Sequence, residues 1–420
     1  MSGIDPTASI RDYTAAAGAT PAAPITAPAE IAQATSRPLA AMSTPPTRRG
    51  VGLLVAAVLG ITLVSIVCLL VIVYLLVGLG PAAFAIGGVM ALIPFTIVYL
   101  GVRWVDRWEP EPRAAVVFAF MWGAGVAVLM ALIVGAEIDN VINSLGGPGP
   151  DYEFFGAAIQ APIVEEVGKG IGVLIIFFAA RKHFDGPVDG LVYAAWVAGG
   201  FAFTENILYF GSQLIAQEGI VEIFIVRGIM SPFAHLMFTA FIGIALGLAA
   251  RRGGTLRAIG YFIVGLVPAI LLHAFWNGAL FFVSDFFGYY FLVQVPLFLA
   301  TIALVIFLRR QESKLTHDRL AEYASVGWIH EDEVNALATR AGRKQAIAWA
   351  SRQGKANEMK RYIKDATRLA FARQRIITGR DRIGAHADEA ELLTRMVASR
   401  ATLVPSAQSR VSPSRDELKT

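Results

Sequence analysis

Cysteine is nearly absent from this 420-residue chain, and charged residues are scarce. The single cysteine, Cys68, has no partner, which excludes disulfides within one chain and thiolate metal sites. Its apolar neighbours offer nothing that would activate a thiolate, so cysteine catalysis is not expected. Charged residues make up only 16% of the chain and hydrophobic residues 55%, with a mean hydropathy of +0.58. These values exclude a soluble protein and predict a polytopic membrane protein.

Long apolar runs fill the middle of the chain. A membrane-spanning helix needs about 20 predominantly apolar residues, and eight segments meet this requirement. We therefore predict an all-α fold, a polytopic helical membrane protein with about eight transmembrane helices and a small helical cytoplasmic C-terminal module. The predicted spans are residues 51–79, 82–102, 114–135, 154–180, 188–212, 229–250, 258–283 and 288–308.

Basic and acidic loops alternate along the chain. Arginine and lysine precede the first span and follow the second, fourth, sixth and eighth spans, whereas the other loops are mainly acidic, with Arg227 the only cation near them. Short cytoplasmic loops carry the Lys/Arg excess of membrane proteins. We therefore expect an integral membrane protein with both termini in the cytoplasm. No signal peptide is apparent, because a polar stretch follows Met1.

The two ends of the chain differ in composition from the spans. Residues 1–50 are rich in Ala, Pro, Ser and Thr and predict a disordered cytoplasmic arm, and residues 401–420 predict a disordered tail. Between the eight-span domain, residues 51–309, and this tail, residues 310–400 show helical spacing of apolar side chains. One such face consists of Met359, Tyr362, Ile363, Ala366, Leu369 and Ala370.

The C-terminal module is basic. Residues 309–420 contain 22 Lys and Arg against 14 Asp and Glu, an excess of eight. Such a module beneath a membrane could bind anionic lipid or a protein partner, although mixed charge on solvated helices is the commoner explanation. No nucleic acid is expected as a partner.

Polar side chains interrupt four of the predicted spans. A charged group at the bilayer centre costs about 2.5 to 3.5 kcal/mol, so these groups must face one another, a bound ion or water. Counting the helical rise from the span ends places five of them, Glu165, Glu205, His235, His273 and Asn277, about 9 to 17 Å below the outer membrane surface, in one layer. The residues are Glu165, Glu166 and Lys169 in the fourth span, Glu205 and Asn206 in the fifth, His235 in the sixth, and His273 and Asn277 in the seventh.

Spacing along the helices groups these residues further. Lys169 follows Glu165 by four residues and Glu166 by three, so it shares a helix face with both and is expected to act as a counter-ion. His273 and Asn277 are also four residues apart and are expected to face the same partner. Asn206 is expected to support the site, and a simple hydrogen bond between helices is the alternative for the Glu205-Asn206 pair.

Two chemical assignments fit these residue types, and both are hydrolytic. In the first, His235, His273 and Glu205 bind Zn²⁺ with an open fourth position, and Glu165 or Glu166 takes a proton from water. In the second there is no metal. Glu166 with a histidine activates water directly, while His273 and Asn277 donate hydrogen bonds to an oxyanion.

Other functions also use ionisable groups inside a membrane. The chief alternative is a proton- or cation-coupled transporter that uses the same Glu, Lys and His cluster. Transporters often contain internal repeats, and no convincing repeat relates residues 51–180 to residues 188–308. A second alternative is an inactive scaffold that presents the C-terminal module to partners.

Six short motifs lie in and between the polar spans: Glu165-Glu166-Val167-Gly168-Lys169, Phe201-Ala202-Phe203-Thr204-Glu205-Asn206, His235, His273-Ala274-Phe275-Trp276-Asn277, residues 106–112 and Pro187-Val188-Asp189-Gly190. Together they resemble the PrsW family of intramembrane proteases, which is distantly related to the CAAX-prenyl endopeptidases. The resemblance covers residues 100–280, outside the arm, the first span and the tail. It implies a bacterial cell-membrane metalloprotease that cleaves membrane-anchored proteins, anti-sigma factors among them.

Overall fold

A computed structural model describes residues 49–107, 110–180, 183–251, 255–379 and 382–403. Within these residues the chain forms helices and no strand, which confirms the predicted all-α fold. The first helix begins at Arg49 and the last ends at Leu403. The predicted disordered arm and tail therefore lie outside the described residues, except for the few positions that these two helices cover.

Fifteen α-helices follow one another in the described chain. They are α1 Arg49–Val105, α2 Arg113–Met121, α3 Val128–Ser144, α4 Tyr152–Phe155, α5 Ala161–Ala179, α6 Pro187–Ala216, α7 Ile220–Ile223, α8 Ala234–Ala250, α9 Thr255–Gly278, α10 Phe286–Tyr289, α11 Val295–Ser325, α12 Glu331–Ala338, α13 Arg340–Ser351, α14 Ala356–Ile377 and α15 Arg382–Leu403. Short π-helical segments lie at Trp122–Ala127, Gly156–Gln160, Phe224–Met230 and Tyr290–Gln294, and a 3₁₀ turn at Ala279–Phe281.

Six helical segments of the described chain are long and apolar enough to cross a membrane, which confirms a polytopic helical membrane protein. They are Val58–Val105, Arg113–Ser144, Pro187–Ala216, Ile220–Ala250, Thr255–Phe281 and Phe286–Ser325. The sequence predicted eight spans, and two local features account for the difference.

The first feature is a break inside α1. Gly80 has φ 74° and ψ 159°, a backbone conformation that only glycine adopts without strain, and Pro81 follows it without an N–H to donate. Val71 and Leu75 before the break and Ala91 after it belong to one buried cluster. The 57-residue helix α1 is therefore two helical arms, which correspond to the first two predicted spans.

The second feature is the charge of α5. Continuous helix runs from Tyr152 to Ala179, the region predicted as the fourth span. This region contains three charged residues, Glu165, Glu166 and Lys169. Three charges are too many for a helix that faces lipid, so it does not count among the six apolar segments. All three side chains are buried, so protein and not lipid surrounds them.

Helix α6 lies at the centre of the membrane unit and holds the site helices in place. Most of its residues are buried, and it packs on α1, α5 and α8. At its crossing with α8 a Cβ on Gly190 would lie 1.9 Å from the carbonyl oxygen of Gly243. Small residues of this kind let membrane helices approach closely. Backbone contact between α6 and α8 therefore sets the separation of the helices that carry Glu205 and His235.

Residues 310–403 form a second compact unit with its own core. Helix α14 begins at Ala356, close to the predicted start after Gly354. Its core face is the one that sequence spacing predicted: Met359, Tyr362, Ile363, Ala366, Leu369 and Ala370 are all buried. The domain bounds themselves and the cytoplasmic location of this unit stay predictions.

Candidate active site

The centre of the site is an ion pair inside helix α5. The Lys169 ammonium lies 2.5 Å from Glu166 Oε1 and 3.4 Å from Glu165 Oε2, at the i+3 and i+4 spacings expected for one helix face. Neither Lys169 nor Glu166 has any exposed surface. Glu166 also accepts a hydrogen bond from Thr239 Oγ1 at 2.8 Å. These contacts neutralise one carboxylate and leave Glu165 on the side that faces the cavity.

Two histidines approach this pair from neighbouring helices. His235 lies in the first turn of α8 and His273 in the last two turns of α9, and their rings are perpendicular with centroids 5.2 Å apart. His235 Nδ1 lies 3.9 Å from Glu165 Oε2, and His273 Nε2 lies 4.0 Å from the same oxygen. Phe238 stacks on the His273 ring with a centroid distance of 4.5 Å. One nitrogen of each ring therefore faces Glu165.

The other nitrogen of each ring contacts a carboxylate. His235 Nε2 lies 2.8 Å from Glu205 Oε2, and His273 Nδ1 lies 3.1 Å from Glu166 Oε1. A neutral histidine that gives its outer N–H to a carboxylate presents a lone pair on the opposite nitrogen, as metal-binding histidines do. The 3.1 Å contact from Lys169 Nζ to His235 Nδ1 agrees with this tautomer, because an ammonium can only donate.

Arg227 also belongs to the site, although its sequence position predicted no role for it. It lies in the π-helical segment Phe224–Met230, and its guanidinium pairs with Glu205. Its Nε donates to Asn206 Oδ1 at 3.1 Å, and its planar head lies 3.9 Å from the centre of the Tyr209 ring. Asn206 therefore contacts the residue that pairs with Glu205, and its supporting role in the site stays a prediction. The available signal was that Arg227 is the only cation near otherwise acidic loops.

Asn277 lies on the cavity wall together with His273, but its hydrogen bond goes to the backbone of another segment. Its Nδ2 donates to the backbone oxygen of Ala157 at 3.0 Å, which ties α9 to the π-helical segment before α5. The amide nitrogen has a second N–H, so this hydrogen bond does not by itself prevent the predicted oxyanion role. Glu166, the predicted base of the metal-free assignment, does not line the cavity, whereas Glu165 does.

A cavity of about 270 Å³ adjoins these groups. Its polar wall contains residues from α5, α6, α8 and α9 and from the π-helical segment before α8. The depths estimated from helical rise had grouped five of these residues: Glu165, Glu205, His235, His273 and Asn277. This wall consists of Glu165, Glu205, Asn206, Tyr209, Arg227, Ser231, His235, His273 and Asn277.

The donor set fits a divalent metal ion. One atom each from Glu165, His235 and His273 lie within 4.8 Å of one another, and two histidines with one carboxylate are a common catalytic zinc set. Zinc bonds of 2.0 to 2.2 Å place tetrahedral ligand atoms about 3.4 Å apart. The two histidine nitrogens lie 3.9 and 4.0 Å from Glu165 Oε2, so these separations would have to shorten by about half an ångström. Glu205, the ligand predicted from sequence, instead contacts the outer nitrogen of His235.

The charge of the cluster also favours a cation. Three buried or largely buried carboxylates, Glu165, Glu166 and Glu205, face two cations, Lys169 and Arg227. With both histidines neutral the cluster carries one net negative charge. An uncompensated negative charge in an apolar surrounding is costly and attracts a cation, and a divalent ion would leave the cluster with one net positive charge.

Comparison with known proteins points to one family. A model of the PrsW family of intramembrane metalloproteases matches residues 111–301. Protease PrsW of Clostridioides difficile (strain 630) is 28% identical over 185 residues, 44% of this chain and 74% of that protein. Protease PrsW of Geobacillus kaustophilus (strain HTA426) is 32% identical over 147 residues, 34% of this chain and 58% of that protein.

A third relative shows the same extent of similarity. Protease PrsW of Bacillus subtilis (strain 168) is 29% identical over 168 residues, 40% of this chain and 70% of that protein. No solved structure matches the chain. The matched region holds every predicted site residue and ends before helices α12 to α15. These findings favour a protease over a transporter.

Proposed function

We infer that this chain is a member of the PrsW family of intramembrane metalloproteases, and from that premise we propose that Glu165, His235 and His273 hold a catalytic zinc ion. The substrates would be membrane-anchored proteins whose peptide bonds are hydrolysed in the cavity beside Glu165. One observation carries the proposal: each histidine offers one nitrogen toward Glu165 while a carboxylate contacts the other.

The residues would divide the work as follows. Glu205 accepts a hydrogen bond from the Nε2–H of His235, and Glu166 accepts one from the Nδ1–H of His273. Both rings therefore stay neutral, with the opposite nitrogen oriented toward the metal position. Lys169 neutralises Glu166, and Arg227 holds Glu205. When bound, zinc would polarise the peptide carbonyl and lower the pKa of water. Phe238 and Trp276 line the cavity and limit its contact with bulk water.

The metal-free assignment from sequence makes a different prediction for the same residues. Without a metal, Glu165 would be the carboxylate available to take a proton from water, because Glu166 is enclosed by Lys169, Thr239 and His273. His235 and His273 would then only orient groups. The charge of the cluster and the matched pair of carboxylate-histidine contacts support the metal-dependent mechanism.

Cleavage by purified protein in vesicles tests the proposal. The probe is a panel of single-span reporter proteins whose outer domain is released by cleavage. We expect Glu165→Gln, His235→Ala and His273→Ala to lose activity and a zinc chelator to abolish it, with recovery on adding zinc. His317→Ala, at an exposed position in α11, is the control that should retain activity. Equal cleavage by all four variants would contradict the assignment.

Orientation and the C-terminal module are part of the proposal. The alternation of basic and acidic loops supports a cytoplasmic location for both termini and for α12 to α15. Single cysteines placed in these regions of a Cys68→Ser protein should react with a membrane-impermeant maleimide only after the cells are opened. Reaction in intact cells would contradict this orientation. Binding of the module to anionic lipid or a protein partner stays a prediction.

A further inference from the structure

A second cavity of the membrane unit lies beside the candidate active site. It has a volume of about 350 Å³ and lies between α6, α8, α11 and the second arm of α1. Its floor consists of buried apolar side chains, among them Val192, Ala195 and Met237. Thr301 has the only side chain with a hydrogen-bonding group among the lining residues, apart from the indole of Trp104. We call this cavity the lateral groove.

The lateral groove opens toward lipid. Its rim residues Trp104, Ile229 and Ile302 are 40%, 52% and 52% exposed, although all three lie in helices that are apolar enough to cross a membrane. The two rim helices, α1 and α11, have few buried side chains along their most apolar stretches. An exposed apolar surface inside a bilayer is in contact with lipid tails or with another membrane-embedded chain.

Polar contacts hold the rim helices at both ends of the groove. At one end Tyr290 Oη, just before α11, donates to the backbone oxygen of Met230 at 2.9 Å. At the other end an Arg309 nitrogen donates to the backbone oxygen of Trp104 at 2.9 Å, and the guanidinium lies 4.9 Å from the Trp104 ring centre. Between these ties no lining residue of the described chain makes a polar contact across the groove. The opening therefore has fixed ends and an apolar middle.

The groove adjoins the catalytic cavity at a break between helices. The π-helical segment Phe224–Met230 is followed by Ser231, and α8 begins at Ala234. Pro232 lines both cavities, with Ser231 on the catalytic side and Phe233 on the groove side. The segment Ser231–Phe233 thus separates an apolar, lipid-facing groove from the cavity that contains Glu165 and His235.

We propose that the lateral groove is the docking site for the transmembrane helix of the substrate. The inference rests on the proposed function, because a membrane-anchored substrate must pass from lipid to the catalytic cavity, and the groove opens to lipid and adjoins that cavity at Pro232. The groove extends about 12 Å along α1 from Ile97 to Val105, or two turns of a helix. Two turns of a helix about 10 Å wide occupy on the order of 1,000 Å³, so the groove holds only its apolar face.

Disulfide crosslinking tests the docking site without requiring catalysis. Since Cys68 is the only cysteine, a Cys68→Ser protein can carry one new cysteine at the groove rim, Ile302→Cys. The matched control is Leu299→Cys, on the same helix, 60% exposed and outside the groove. The probe is a synthetic single-span peptide of about 20 leucine and alanine residues with one central cysteine, in phosphatidylcholine vesicles.

On oxidation we expect the Ile302→Cys protein to form a disulfide with the peptide and the Leu299→Cys protein to form little or none. Adding Thr301→Trp, which fills the groove, should reduce the Ile302→Cys product to the control level, whereas Leu299→Trp should not. Equal yields at the two positions, or no effect of Thr301→Trp, would overturn the proposal and indicate that lipid tails occupy the groove. If the crosslink is not selective but Glu165-dependent cleavage is intact, the docking site is wrong and the proposed function stands. If the crosslink is selective but no Glu165-dependent cleavage occurs, the proposed function is wrong and the docking site stands.

Discussion

The Nε2 atom of His235 lies 2.8 Å from a carboxylate oxygen of Glu205, and this contact turns Nδ1 of the ring toward Glu165 and Lys169. Glu205 in turn is held by Arg227, which reaches it from the π-helical segment before α8. Two side chains in series, Glu205 and Arg227, thus orient one candidate metal ligand, His235. Arg227, the outer of the two, is the residue for which the sequence predicted no role.

These two contacts predict that Arg227 acts on His235 through Glu205. We expect Arg227→Gln and Glu205→Gln each to weaken zinc binding about 10- to 100-fold, as loss of groups behind metal ligands commonly does. The double variant should lose little more than either single one, because both changes release the same His235 ring. Competition titration with a chromophoric zinc chelator measures this. Glu218→Gln, at an exposed position on the same side, is the control, and additive losses would contradict the coupling.

The buried pair of Lys169 and Glu166 predicts a stability effect that is separate from metal binding. Lys169→Met leaves the Glu166 carboxylate without its cation at a position with no exposed surface, and removing one partner of such a pair costs about 3 to 5 kcal/mol. The double variant Lys169→Met with Glu166→Gln should recover much of that loss. Thermal unfolding of metal-free protein in detergent measures both variants. A double variant that is less stable than Lys169→Met would show that the pair is not the source of the effect.

The close crossing of α6 and α8 predicts unequal effects of two glycine substitutions. Gly190→Ala would place a methyl group 1.9 Å from the Gly243 oxygen, so we expect the helices to separate and the thermal midpoint to fall sharply. Gly260→Ala, in α9, meets no atom within 4 Å and should be neutral or stabilising by up to about 1 kcal/mol. Equal midpoints for the two variants would show that the crossing tolerates a wider separation.

A buried acid just beyond α1 predicts a pH dependence of stability. Burial raises the pKa of Asp106 from 3.8 to about 6, although its Oδ1 accepts the Glu111 N–H and Arg103 lies near. The folded state therefore binds the proton more tightly, so this group lowers stability as pH rises from about 4 to 6 and the loss persists above pH 6.

Asp106→Asn should remove this loss while keeping the acceptor oxygen. We expect a thermal midpoint above that of wild type at pH 7 and no difference at pH 4, with an upper bound on the order of 3 kcal/mol. Melting curves in detergent at the two pH values measure the effect, with the exposed Asp151→Asn as control. A gain at pH 4 as large as at pH 7 would contradict a titrating Asp106.

Much of the fold and the membership of the site followed from the sequence. Apolar length and the cost of buried charge were sufficient to place Glu165, Glu205, His235 and His273 in one layer, because helical rise converts sequence position into depth. The spacing of apolar residues likewise identified the buried face of α14. These are properties that a helix determines locally.

The remaining features depend on contacts between helices. Sequence spacing could not tell which carboxylate faces which histidine nitrogen, so it placed Glu205 in the ligand set where the structure brings Glu165. Arg227 was not assigned because its approach to Glu205 depends on the π-helical segment that carries it. The lateral groove also has no sequence signal, since its residues have the composition of any lipid-facing helix.

Metal content of the purified protein tests the central claim most directly. Elemental analysis after dialysis should find about one zinc per chain for wild type and for the His317→Ala control, since three ligands with an open position define one site. Glu165→Gln, His235→Ala and His273→Ala should each retain far less, while remaining folded by circular dichroism. Wild-type protein that cleaves its substrate with no bound metal, or zinc content unchanged in the three variants, would contradict the account.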